Sequence, residues 1–328
     1  MAGFMDILFV KLGALGDVIN TLPLAVSLKR HFNARIFWLV EPLSEPLLSP
    51  HPCVDRVIRF DKRRWRTQVR PTRRALKAHH FDLILDLQRL WKSGLFALTA
   101  KGGRRIGFDR RRCKEMTWIL PFERIPPADP GRHMLCQYME FAEYLGAPTE
   151  PVTWAISVPD ALPKGLPDNF FVLNIGATKP ANRWTREGFA GLADLLDQKY
   201  QLPTVITGGA EDAGMAEDII AAAKTRPINM VGKTSIDELT ALIYRAALVV
   251  SCDTGPMHLA VALGRPVVAL FGPSDPRRTG PYQGAVVQKD LACIPCNRRH
   301  CEMPRCMLEI TPHDVMAEID GLFKDPVP

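Results

Sequence analysis

Short apolar runs, each closed by a small or polar turn and followed by a helical pattern, recur along the chain. They lie at residues 7–10, 35–40, 57–60, 83–87, 170–174, 204–207, 247–251 and 267–270. They are too short for helices and most lack the alternation of a half-exposed strand, so they read as strands buried on both faces. Helical spacing fills much of the space between them, at 68–79, 91–100, 185–199, 212–224 and 236–245. The last of these opens on Ser235 and Glu238, a capping box. Strand and helix in alternation predict parallel sheets covered on both faces. Pro23 is expected to kink the first helix or restart it after Thr21. The rhythm breaks at residues 146–168, where five prolines fall, and this stretch reads as a last strand of one domain and then a linker. A chain of 328 residues is long for one core, so two doubly wound α/β domains are expected, 1–160 and 161–328.

The most telling turn is Ser251-Cys252-Asp253-Thr254-Gly255-Pro256-Met257-His258. It follows a buried strand and opens a helix, at the sheet edge where ligands bind in open α/β folds. Backbone N–H groups at Thr254, Gly255 and Met257 suit an anion, and Pro256, with no N–H, suits the first helical turn. Three more loops leave strands of the same domain. One carries Thr178, Lys179 and Arg183, cations suited to a diphosphate. Another carries Glu211, an acid that can bind ribose hydroxyls or cap the next helix, and the last runs through residues 271–276. In the first domain, Gly16 permits close approach of a ligand to the backbone. Asp17 sits where a carboxylate is either a helix cap or a general base. That loop lacks both the Lys-Ser/Thr of a P-loop and the spacing of a dinucleotide fingerprint.

Charge is segregated. Residues 55–114 hold 19 Lys and Arg against 5 Asp and Glu, a balance of +14 in a chain whose net charge is +7. An anionic partner for that segment is expected, whether nucleic acid, membrane surface or acidic substrate. No apolar run reaches the roughly 20 residues of a membrane span, and residues 1–6 lack the features of a secretory signal, so a cytoplasmic protein is expected. Cys293, Cys296, Cys301 and Cys306 fall within 14 residues. They are candidates for a structural zinc or iron site, or for reduced thiols in a loop.

Taken together, these motifs resemble glycosyltransferase family 9, the ADP-heptose:lipopolysaccharide heptosyltransferases, over nearly the whole chain. The likeness rests on residues 7–11, Gly16-Asp17-Val18, Thr21-Leu22-Pro23, Asp86-Leu87-Gln88 and Lys92-Ser93. In the second half it rests on Gly176-Ala177, Arg183-Trp184, Asp253-Thr254-Gly255 with His258, and residues 271–281. Within the family, Arg63-Arg64-Trp65-Arg66 and Gln88 with Lys92-Ser93 look most like the heptosyltransferase I branch.

The resemblance implies a GT-B fold, two facing Rossmann-like domains about a cleft, with the last helix packing back on the first domain. It implies an inverting transfer of heptose from ADP-heptose to an inner-core 3-deoxy-D-manno-octulosonic acid residue on lipid A, with no cofactor required for catalysis. Asp17 would be the general base. Thr178, Lys179, Arg183, Glu211, Asp253, Thr254, Gly255 and His258 would serve the donor. Gly16, Arg63, Arg66, Gln88 and Lys92 would serve an anionic, lipid-linked acceptor at the inner face of the inner membrane. Asn182 stands where many members carry a lysine, which leaves Lys179 or Arg183 to supply the charge. Three alternatives stay open: another donor or acceptor within the family, a nucleotide-sugar epimerase on the same scaffold, and a basic nucleic-acid-binding protein.

Overall fold

The computed structural model describes residues 4–323. Contacts divide the chain into two compact units, Met1–Ser157 and Val158–Pro328. The first unit runs β1 (Asp6–Val10), α1 (Leu15–Phe32), β2 (Arg35–Val40), α2 (Glu45–Leu48), β3 (Arg56–Arg59), α3 (Trp65–Lys77), β4 (His80–Asp86), α4 (Trp91–Thr99), β5 (Lys101–Gly107), β6 (Glu123–Arg124) and α5 (Met134–Tyr144). The second runs β7 (Phe171–Asn174), α6 (Arg186–Tyr200), β8 (Thr204–Thr207), α7 (Ala213–Ala222), β9 (Ile228–Asn229), α8 (Ile236–Arg245), β10 (Leu248–Cys252), α9 (Gly255–Ala262), β11 (Val267–Phe271), α10 (Pro276–Thr279), β12 (Ala285–Gln288), α11 (Arg305–Leu308) and α12 (Pro312–Leu322).

Each unit holds a six-stranded sheet, in the orders β3-β2-β1-β4-β5-β6 and β9-β8-β7-β10-β11-β12. Every neighbouring pair is parallel. Counted along the chain, both are the doubly wound 3-2-1-4-5-6 order, in which the winding reverses between the first and fourth strands. That reversal lies between β1 and β4 in one unit and between β7 and β10 in the other. Strands β1, β7, β10 and β11 are buried along their whole length, as their unbroken apolar runs require.

Several local expectations change. Helix α1 runs unbroken through Pro23. Leu22, Leu24, Ala25, Val26 and Leu28 around the proline are buried, so packing holds the helix where propensity would end it. The strand expected at the end of the first domain is absent, and the proline-rich stretch is irregular. Prolines supply no ladder N–H. Side chains pin the stretch instead: Ser27 Oγ donates to Pro148 O (2.5 Å), His51 Nε2 bonds Trp154 O (2.7 Å) and Ser157 Oγ donates to Pro50 O (3.0 Å). Strand β5 gave no apolar signal, because it is Lys-Gly-Gly-Arg-Arg-Ile-Gly. A Cβ at Gly102 would stand 2.0 Å from the Phe81 carbonyl, so only glycine lets β5 lie against β4 there. Helix α12 packs on α6 and β12.

Candidate functional site

In the first unit the reversal point is built from the loop after β1 and the loop after β4. Gln88 ties them, its Oε1 accepting from Leu12 N (3.1 Å) and Gly13 N (3.4 Å). Asp17 stands in the first turn of α1, but the N-cap is Ala14, and no side chain caps the helix. The carboxylate is engaged elsewhere. Lys11 Nζ lies 3.2 Å from Asp17 Oδ2, and Tyr138 of α5 donates its hydroxyl to Oδ1 at 3.3 Å. The Asp17 side chain keeps 37% of its surface open, whereas that of Lys11 keeps 2%. Lys11 also sits 5.0 Å from the centre of the Tyr138 ring. Burial drives its ammonium below the ordinary lysine range, against the pull of Asp17. Asp86, fully buried at the end of β4, has its carboxyl pushed up to about 6 by burial, partly offset by bonds from Ser93 and the Gln88 backbone N–H.

Of the residues expected to serve an acceptor, Gly16 is buried in α1, and Gln88 belongs to this lacing. Lys92 lies nearby and shares Glu41 with Lys62, at 3.3 and 2.7 Å. Glu41 reaches the same loop through its backbone N–H, which donates to Leu12 O (2.9 Å). Arg63 and Arg66 are exposed at the start of α3 and take no part in this lacing. Lys11 and Tyr138 were missed from sequence: a lysine ending a strand run and a tyrosine in an unassigned helix carry no local signal.

In the second unit the reversal point is laced by neutral amides. Asn174, at the end of β7, donates Nδ2 to Ser251 Oγ and Thr254 Oγ1, both at 3.1 Å. Thr254 is the N-cap of α9, yet its hydroxyl bonds back to Cys252 O (3.3 Å) and makes no cap bond. The Thr254 side chain thus makes no cap bond at the start of α9, and a helix start favours an anion. Asn182 is buried and donates Nδ2 to Asp253 Oδ2 (3.1 Å) and Ser274 Oγ (3.2 Å), which fixes the Asp253 carboxylate. Gln288 holds the Ser274 loop through the carbonyls of Gly272 and Ser274, both at 2.9 Å. His258 is buried in the first turns of α9.

Arg183 pairs with buried Asp212 at 2.6 Å, and Asp212 also accepts from Gly209 N at 2.9 Å. The capping role thus falls to Asp212 and leaves Glu211 exposed. Thr178 is exposed and Lys179 half-buried; among the described residues Lys179 has no carboxylate within ion-pair distance. Asn174, Asp212 and Ser274 were also missed; polar residues directly after apolar runs were the available signal.

The candidate metal site at the cysteines is not supported. Among the described residues no group of three or more His, Cys, Asp or Glu side chains is placed to hold a metal ion. Cys293, Cys296 and Cys301 are exposed, while Cys306 is buried in the core of the second unit. Burial first, and then the three neighbouring thiols, push the Cys306 thiol up.

The sequence matches glycosyltransferase family 9 (heptosyltransferase) over residues 69–307. It is 30% identical over 283 residues to the lipopolysaccharide core heptosyltransferase OpsX of Haemophilus influenzae, covering 83% of this chain and 80% of that protein. It is 27% identical to lipopolysaccharide heptosyltransferase 1 of Pseudomonas aeruginosa, covering 98% of this chain and 99% of that one. Among solved structures, Escherichia coli heptosyltransferase WaaC with ADP superposes with a TM-score of 0.80 at 25% identity, over 97% and 99% of the two chains.

Proposed function

The chain belongs to glycosyltransferase family 9, the heptosyltransferases, and we propose that it moves a heptose from ADP-heptose to an inner-core 3-deoxy-D-manno-octulosonic acid residue of lipopolysaccharide, with inversion. The observation that carries the reading is Asp17, a half-open carboxylate held by buried Lys11 and Tyr138. A sugar hydroxyl is a poor nucleophile until its proton leaves with the attack, and a fixed carboxylate can take that proton. Lys11 and Tyr138 orient Asp17 for the task.

The donor belongs to the second unit in this reading. Its diphosphate lies at the start of α9, by Thr254, Gly255 and His258. Lys179 is the cation free to meet it, since Arg183 is held by Asp212. Thr178 serves the phosphates, and Glu211 the ribose. As the bond to the sugar breaks, negative charge grows on the departing ADP, and oriented N–H groups with a cation stabilise it. Asp253, fixed by Asn182, binds sugar hydroxyls. Support for an ADP-sugar comes from the WaaC structure, solved with ADP. Gln88 and Lys92, beside the Asp17 loop, and Arg63 and Arg66 face an anionic, lipid-linked acceptor. Catalysis is assigned to these groups without a cofactor, at the cytoplasmic face of the inner membrane. No described helix is long and apolar enough to cross a membrane.

The test is transfer by Asp17→Asn with ADP-heptose and a lipid A acceptor bearing 3-deoxy-D-manno-octulosonic acid. A loss of about 10²–10⁴-fold in turnover is expected. Near-normal turnover removes Asp17 as the base.

A further inference from the structure

Beyond Arg63, Arg66 and Lys92, which the reading above gives to the acceptor, α3 and α4 carry further cations and a groove to which it gives no role. Residues 63–77 hold seven cations and no acid. All seven are exposed, and among the described residues none has a carboxylate within ion-pair distance. Several cations elsewhere in the same unit are matched, Lys29 by Asp55, Arg35 by Asp6, Arg104 by Glu123, and Arg112 by Asp109 and Glu140, but in residues 63–77 none of the seven is. The charge on α3 is therefore left for a partner.

A groove of about 540 Å³ lies between α3 and α4, within the roughly 300–1,000 Å³ that receives a small ligand. From α3 it is lined by Trp65, Val69, Arg73 and Lys77. These are spaced four apart, one ridge of the helix, apolar in its first half and cationic in its second. Thr72 and Leu76 lie on the buried face. From α4 come Leu95 and Leu98. Trp65 and Leu95 are each 55% exposed and line the same groove, so they form part of one contiguous apolar patch, not scattered surface residues. Apolar side chains in the same groove as unmatched cations fit an amphiphile with an anionic head.

We propose that this face docks on an anionic phospholipid bilayer, with acyl carbon against Trp65, Val69, Leu95 and Leu98 and headgroup phosphate against Arg73 and Lys77. Basic helices of this kind are drawn to anionic lipid by charge and held by apolar burial. Nucleic acid needs the cations and leaves the exposed leucines without a role. A second copy of the chain would bring seven like charges against seven. The inference deepens the lipid-facing part of the reading above, yet it requires neither the donor nor the acceptor sugar.

The experiment is flotation of the full-length protein with vesicles of phosphatidylglycerol or of phosphatidylcholine. Binding to phosphatidylglycerol alone is expected, weakening with salt. R73E/K77E is expected to lower the partition at least about tenfold. Leu95→Ser and Leu98→Ser, which keep every cation, are expected to lower it as well, with melting temperatures showing that each variant is folded. Equal binding to both lipids overturns the proposal, as does partition unchanged by charge reversal. Serine variants that bind like the parent, with duplex DNA displacing the vesicles, assign the face to nucleic acid. A dimer seen by sedimentation velocity and dissolved by Leu95→Ser assigns it to self-association. Either overturns it. Since no sugar is present, vesicle binding can fail while transfer stands, or the reverse.

Discussion

The two reversal points share one strand order and differ in how they are laced. In the first unit the lacing is ionic: a buried ammonium against a half-open carboxylate, with Asp86 buried at the end of the adjoining strand. In the second it is carried by neutral amides: Asn174 and Asn182 hold the turn, and the Thr254 hydroxyl at the helix start beyond it makes no cap bond. The same topology thus yields a place that holds a negative charge ready and a place that receives one. A base needs a fixed carboxylate; a leaving diphosphate needs N–H groups that no side chain has already taken.

Lys11→Met strikes the ionic side hardest. Removing one partner of a fully buried pair is ordinarily destabilising, but Asp17 keeps 37% of its side chain in water and can be solvated once Lys11 is gone. The melting temperature is expected to hold while kcat falls by roughly several hundredfold and KM stays near its starting value. A fall in melting temperature with kcat of the folded fraction unchanged would make Lys11 a packing residue only.

Asp86→Asn tests the same side by pH. The carboxyl, raised to about 6, keeps its proton to a higher pH than an ordinary aspartate and is mostly ionised by pH 7. Its contribution to stability is present at pH 4 and below and is lost as pH rises through about 6. Denaturant unfolding of the parent relative to Asp86→Asn should therefore fall by up to about 3 kcal/mol between pH 4 and 7 and then level off. A flat difference contradicts a raised Asp86 carboxyl.

On the neutral side, Asp253→Ala is expected to weaken ADP-heptose binding about thirtyfold, the loss of hydrogen bonds to a charged group. ADP, which lacks the sugar, should bind as before. Asn182→Ala removes only the amide that aims Asp253, so about fivefold is expected in the same calorimetric titration. An Asn182 effect larger than that of Asp253 would reverse their order.

The strands and the turns at their ends were legible because buried parallel strands must be apolar and their loops cannot be. The capping box at Ser235 and Glu238 formed as read, with both reciprocal bonds. Long-range partners were not legible. Tyr138 reaches Asp17 across 121 residues, and nothing local in either segment encodes the meeting. Strand β5 was hidden because it is bought by two glycines and close backbone approach, not by apolar side chains. The four cysteines left two readings open from their spacing, and among the described residues no group is placed to hold a metal ion, which leaves them as free thiols.

The central claim is that proton removal belongs to Asp17 and donor recognition to Asp253. It is tested most directly by measuring the ADP-heptose dissociation constant and the single-turnover rate on Asp17→Asn and Asp253→Ala in parallel, with melting curves for both. The account predicts a crossed result: Asp17→Asn keeps the dissociation constant and loses the rate, while Asp253→Ala loses affinity and recovers much of its rate at saturating donor. Two folded variants that both lose affinity, or both keep the rate, would contradict it.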